Sequence, residues 1–356
     1  MVGVAGDGTN IRIDLGSDTK TKPSAAMRKA MVAAEVGDEQ AGEDPATRAL
    51  EERVAALLGK EEGLFVPSGT MCNQIALAVH CGAGEEVICD RTSHIMGFES
   101  GGAAAVARAQ ILPMAGERGI FNAIQLRGAL RHPARHAPVQ RLVCIEQTSN
   151  IGGGSIWPLA EINDVAETAR AAGLSLHMDG ARLLNAVVES GVSAADYAAP
   201  MDSAWIDLSK GLGCPVGAVM VGSRDFIEEC WRWKQRLGGA MRQSGILAAA
   251  GLYALDNNVE RMKEDHNNAR AFAGVLAQVN GIAVDPGKVE TNIIVFDVTR
   301  TGWQAPYLSD KLLAQGIRVG ALSGTTMRAV THLDVTRDQV MEAANALAAL
   351  ASKRPA

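Results

Sequence analysis

Trp205-Ile206-Asp207-Leu208-Ser209-Lys210-Gly211-Leu212-Gly213 and, upstream, Leu176-His177-Met178-Asp179-Gly180-Ala181-Arg182 decide how this chain folds. Each is a short apolar run ending in a charged group flanked by glycine. That is the pattern of a buried strand in a parallel sheet. In an open α/β sheet the carboxyl ends of the strands face the ligand crevice. One strand therefore presents a carboxylate there and a later one an amine. Pyridoxal phosphate requires that pair: an amine for a Schiff base and an acid beside the pyridinium nitrogen. Either charge alone reads as a solvated strand end. The two together, in this order, point to a cofactor enzyme.

Working outward, helix and strand alternate. Residues 47–58 carry apolar side chains at helical spacing and stop at Gly59. Residues 63–66 read as a strand, followed by Pro67-Ser68-Gly69-Thr70 and a helix through Val79. Further strands are predicted over 87–89, 111–114, 142–145, 174–178, 204–208 and 217–221, with helices over 159–172 and 182–189. This alternation predicts a mostly parallel sheet wrapped on both sides. A long helical stretch begins near Gln243 and runs, with a break, past Ala273. After it come strands over 292–298, 317–319 and 328–331, and helices over 307–314 and 338–352. The expected organisation is a flexible tail over 1–10, a large domain over 11–255 and a small α+β domain over 256–356.

Composition narrows the function. The chain has 356 residues, 47% hydrophobic and 21% charged, an ordinary globular balance. Its net charge is −6 and its basic residues are scattered, which argues against a nucleic-acid partner. Apolar runs such as 246–255 are too short to span a bilayer. The Gly-rich, polar start does not read as a signal peptide. The six cysteines form no CxxC pair and the seven histidines are dispersed, so no metal site is expected. A reduced, cytoplasmic protein is the expectation.

Several residues are candidates for chemistry. Ser68, Gly69 and Thr70 leave a strand and open a helix, where backbone N–H groups favour a phosphate; a plain N-cap is the alternative. Asp179 suits the pyridinium nitrogen, or caps the next helix. Arg182 suits a carboxylate, or a solvated helix face. Ser209 precedes Lys210, and the glycines after it let backbone approach a flat ring. Arg242, after Gly238-Gly239-Ala240-Met241, is a phosphate ligand by charge. His94, just past a strand, is placed to stack on the cofactor. His136, in the basic loop over 131–141, reads as solvated, and His332 as structural.

The chain resembles the low-specificity L-threonine aldolases of the fold-type-I pyridoxal-phosphate enzymes. The matching runs are Asp14-Leu15-Gly16-Ser17-Asp18-Thr19, Pro67-Ser68-Gly69-Thr70, His177-Met178-Asp179-Gly180-Ala181-Arg182, Leu208-Ser209-Lys210-Gly211-Leu212-Gly213, Gly238-Gly239-Ala240-Met241-Arg242-Gln243 and Val330-Thr331-His332-Leu333-Asp334-Val335. The resemblance implies a large α/β domain with a mostly parallel, seven-stranded sheet between helices and a smaller C-terminal α+β domain. It implies pyridoxal 5′-phosphate as cofactor and a β-hydroxy-α-amino acid as substrate, cleaved to glycine and an aldehyde. Lys210 would carry the cofactor, Asp179 meet its ring nitrogen and His94 stack on its ring. Ser68, Gly69, Thr70, Arg182, Ser209 and Arg242 would hold the cofactor, Arg242 reaching in from a neighbouring subunit of a homotetramer. Ser17, Arg182 and Arg328 would hold the substrate carboxylate. His136, upstream of Glu146, would lie near the substrate hydroxyl.

Three departures stand out. The family usually has Arg where Gly16 stands, Lys where Gln235 stands and Tyr where Ala41 stands. Losing a ring at a pocket wall removes on the order of 150 Å² of aromatic surface. An added apolar contact in such a pocket is worth about 1–3 kcal/mol. Unless Gln40 or a partner side chain refills that space, phenylserine-type substrates should be cleaved at least as efficiently as threonine. Comparing kcat/KM for both substrates in the parent and in Ala41→Tyr tests this. A strong parental preference for threonine that Ala41→Tyr leaves unmoved would refute it.

Overall fold

A computed structural model describes residues 10–353. The strands are β1 (Ile13–Asp14), β2 (Glu62–Val66), β3 (Glu86–Asp90), β4 (Gln110–Met114), β5 (Gln140–Glu146), β6 (Ser175–Gly180), β7 (Ser203–Asp207), β8 (Ala218–Gly222), β9 (Ile293–Asp297), β10 (Ile317–Arg318), β11 (Gly320–Ala321) and β12 (Thr326–Val330). The chain divides into two compact units, residues 22–260 and residues 261–356 with the N-terminal segment through Thr21. The tail expected over 1–10 lies, Asn10 apart, outside the described residues.

The unit over 22–260 is built on a seven-stranded sheet of order β2-β8-β7-β6-β5-β3-β4. Its neighbours pair in parallel except where β8 meets β2 and β7, so β8 alone runs against the rest. Every residue of β3, β7 and β8 is buried. Both faces are covered, which is why these strands read as continuous apolar runs rather than alternating ones. Local sequence sets the helix limits. The helix Pro45–Leu58 opens with Asp44 accepting from the Thr47 N–H and Pro at its first position, and closes on left-handed Gly59. All six cysteines are free and buried.

The second unit has its own apolar core, including Phe272, Phe296, Leu308, Met327 and Leu347. A three-stranded antiparallel sheet β11-β12-β9 lies within it. Residues 11–21, expected in the large domain, belong here instead. β1 pairs in parallel with β10, and the Leu15 N–H donates to the Arg318 carbonyl at 2.8 Å. Ile13 and Leu15 enter this unit's core, so apolar burial and main-chain pairing both draw the segment to it.

A buried ion pair reinforces the first unit. Lys234, on the helix Arg224–Arg236, is fully buried against Glu39, and its Nζ lies 4.6 Å from the Trp231 ring centroid. Burial lowers the Lys234 pKa, with Glu39 opposing it. Removing one partner of such a pair typically costs about 3–5 kcal/mol, because the other charge is left buried and unpaired. Lys234→Met should lose about that much in denaturant unfolding, and Glu39→Gln combined with Lys234→Met should recover most of it. Equal stability of Lys234→Met and parent would contradict this.

Candidate active site

Because β8 alone runs in the opposite sense, the carboxyl ends of β2, β5, β6 and β7 share one edge of the sheet. Glu146, Asp179 and Trp205 are register partners across β5, β6 and β7, which places their side chains in one row on one face. Asp179 is only 5% exposed. Its Oδ1 accepts the Ala181 N–H at 3.0 Å and its Oδ2 accepts from Asn73 Nδ2 at 2.8 Å. Lys210 lies just past β7, its Nζ 3.1 Å from Asp207 Oδ2 and 5.7 Å from the Trp205 ring centroid. Ser209 donates to Asp207 Oδ1 through both N–H and hydroxyl, at 2.7 and 2.8 Å.

The helix Gly69–His80 closes over this row. Ser68 is its N-cap, accepting the Met71 N–H at 3.3 Å. A Cβ on Gly69 would stand 2.4 Å from Trp205 Cη2 and 3.1 Å from Asp207 Oδ2. Only glycine lets the first turn sit this close to Trp205 and Asp207, the carboxylate that holds Lys210. A Cβ on Gly180 would meet the Trp205 carbonyl at 2.1 Å. Further along the helix, Asn73 Oδ1 accepts from Trp205 Nε1 at 2.8 Å, and its Nδ2 donates both to Asp179 and to Glu99 Oε1, the latter at 2.7 Å. Lys210, Gly69, Asp179 and Asn73 thus gather around one indole.

His94 joins from the end of β3. Its Nδ1 lies 2.9 Å from Glu99 Oε1, and its ring stacks on Phe98 with centroids 5.6 Å apart. Its backbone N–H donates to Glu146 Oε2 at 2.7 Å. Burial disfavours protonation of the ring, but the Glu99 hydrogen bond and the Asp179 and Glu99 charges more than offset it. The His94 pKa therefore lies above the usual imidazole value, with Lys210 opposing the rise. Burial, then the Asp179 charge, push the Glu146 carboxyl up to about 7, against the Asn150 and His94 N–H groups.

The other predicted residues are placed as follows. Arg182 is buried at the N-cap of the helix Leu183–Ser190, its N–H donating to the Gln147 carbonyl at 3.1 Å. Arg242 is well exposed and pairs with Asp38 at 2.8 Å. In the other unit, Arg328 Nη2 donates to the Gly16 carbonyl at 3.2 Å, beside Ser17, whose hydroxyl accepts the Thr19 N–H. His136 is not brought to the cluster. It is exposed on the loop entering β5, and the whole strand separates it from Glu146 at the far end. Ala41 is exposed at the end of a short turn, Glu39–Ala41. The place of a side chain at Gly16 is taken by Arg318, whose Cδ would lie 3.0 Å from such a Cβ and whose guanidinium pairs with Asp14 at 2.5 Å.

Sequence reading missed Asn73, Glu99, Trp205 and Asp207. Asn73 had a signal: a polar residue beside Cys72, Ile75 and Ala76 on a buried helix face needs partners. A buried carboxylate, a lysine amine, an imidazole and a helix N-terminus within one unit form the donor set that pyridoxal phosphate requires, and the residues present fit it.

Known proteins resemble this chain over most of its length. The family model described as beta-eliminating lyase matches residues 14–299. The chain is 42% identical to the low specificity L-threonine aldolase of Escherichia coli O157:H7, over 93% of this chain and 97% of that protein. It is 40% identical to low-specificity L-threonine aldolase 1 of Arabidopsis thaliana, over 92% and 93%. The solved structure of a putative L-allo-threonine aldolase from Listeria monocytogenes shares its fold, with a TM-score of 0.79 at 21% identity over 96% of each chain. This chain belongs to the beta-eliminating lyase family and, within it, to the low-specificity L-threonine aldolases.

Proposed function

We propose that this protein is a pyridoxal-phosphate-dependent aldehyde lyase that cleaves threonine, allo-threonine and related β-hydroxy-α-amino acids to glycine and an aldehyde. The observation that carries the reading is the convergence of Lys210, Asp179 and Gly69 on Trp205 at the carboxyl ends of parallel strands. When bound, pyridoxal phosphate supplies a sink for the electron pair left on Cα as Cα–Cβ breaks. The chain's residues do the rest. Lys210 would carry the cofactor. Asp179, held in place by Asn73 and Ala181, would favour a proton on the ring nitrogen. Ser68, Gly69, Thr70 and Ser209 would hold the phosphate end, and His94 would lie against the ring.

Arg182, buried at the start of the helix Leu183–Ser190, is assigned to the substrate carboxylate. Fixing that group decides which Cα bond is set for cleavage. His94 Nε2, the ring nitrogen that Glu99 does not engage, takes the β-hydroxyl proton, directly or through a water. Arg242, exposed in the single chain, serves the phosphate of a neighbouring copy in a cytoplasmic homotetramer.

Purified protein should be yellow, release glycine and aldehyde from threonine, and on borohydride treatment retain the cofactor at Lys210. Lys210→Ala should lose essentially all turnover, since a covalent step disappears; near-parental cleavage would end this reading. Arg242→Ala should lose cofactor faster than the parent during dialysis. A monomer of full activity in sedimentation would remove the argument for a shared site.

A further inference from the structure

Glu99 has no role in the reaction as set out above, yet its surroundings are hard to explain by stability alone. Its side chain is 1% exposed. Oε1 takes both the Asn73 amide and the His94 ring, while Oε2 is buried without a hydrogen-bond partner. A carboxylate buried to stabilise a fold has both oxygens satisfied, because an unmet one is a net cost. The backbone is also held at a cost here: Ser100, directly after Glu99, has φ of +52°. Such costs collect where geometry serves function.

We propose that Glu99 is a positioning residue for the cleavage reaction, holding the His94 ring through Nδ1 so that Nε2 is the nitrogen presented to the substrate hydroxyl. A carboxylate oxygen that already accepts from Asn73 can only accept again, so His94 Nδ1 carries the hydrogen. In the neutral ring that leaves the lone pair on Nε2. This is the arrangement of a base oriented by a third group. Asn73 extends the constraint, since its amide bonds Asp179 and Glu99 from one nitrogen. The acid assigned to the ring nitrogen and the acid that aims the base are therefore fixed to each other.

The charges facing His94 are Glu99 on its own segment, Glu146 at the end of β5, Asp179 at the end of β6 and Lys210 past β7. Glu99 is the one bonded to the ring, so its loss should lower the basicity of His94 most directly.

The proposal rests on His94 serving the reaction, and the test separates the two. In the holoenzyme, Glu99→Gln should lower kcat for threonine roughly tenfold to a hundredfold with KM little changed. It should also move the ascending limb of the pH profile to lower pH by about one unit. In a His94→Phe background, adding Glu99→Gln should change kcat less than twofold, because residues acting through one another are not additive. A full, additive loss in that background, or an unmoved pH limb, would overturn the proposal. An impaired His94→Phe beside an unimpaired Glu99→Gln would overturn this proposal alone. A near-parental His94→Phe would overturn the His94 assignment and this proposal with it. Should Glu99→Gln not fold, Glu99→Asp carries the test: the shorter arm should lower kcat, and an unchanged kcat would refute the idea.

Discussion

Three carboxylates, Glu99, Glu146 and Asp179, are buried near one another at a sheet edge, and the site depends on how that crowding is contained. Like charges out of water repel strongly and each resists losing its hydration. The fold supplies donors that cannot move away. Asn73 sits on a helix whose start is pinned against Trp205 by the absence of a Cβ at Gly69. Backbone N–H groups of His94 and Asn150 hold Glu146. A helix register, one glycine and a parallel strand order together keep negative charge where a cationic cofactor ring would need it.

The second unit meets a simpler demand by similar means. Its N-terminal segment is threaded into the apolar core by Ile13 and Leu15. It is then fixed by polar contacts from distant residues: His332 Nε2 at the Asp14 carbonyl, Arg328 at the Gly16 carbonyl and Asn292 at Asp18. The Thr331-His332-Leu333-Asp334 run thus acts on the backbone that carries Ser17. A motif marking the family proves to be a clamp on a loop, with its imidazole buried.

Much of the first unit was legible in the sequence because strands buried on both faces have no polar alternation to confuse the reading, and glycines mark their ends. Lys210 and Asp179 could be paired for the same reason: strand ends of a parallel sheet converge by topology. What escaped was whatever topology does not fix. The short strand Ile13–Asp14 has its partner at Ile317–Arg318, so local pattern gave no hint of which unit owns it. His136 sits in a loop at the wrong end of β5, where nearness in sequence to Glu146 misleads. Glu99 and Asn73 become neighbours only when a helix and a strained turn fold over the row, which no periodicity reports.

Gly16 and Arg318 carry one more consequence. The methylenes of Arg318 occupy the volume that any side chain at residue 16 would claim. An arginine at residue 16 would require the Arg318 side chain to shift, and shortening Arg318 alone would take from Asp14 the guanidinium it pairs with. The two positions are thus coupled mechanically: a side chain at residue 16 presses on the arm that carries the guanidinium to Asp14, so the backbone ahead of Ser17 and the charge on Asp14 answer to the same residue.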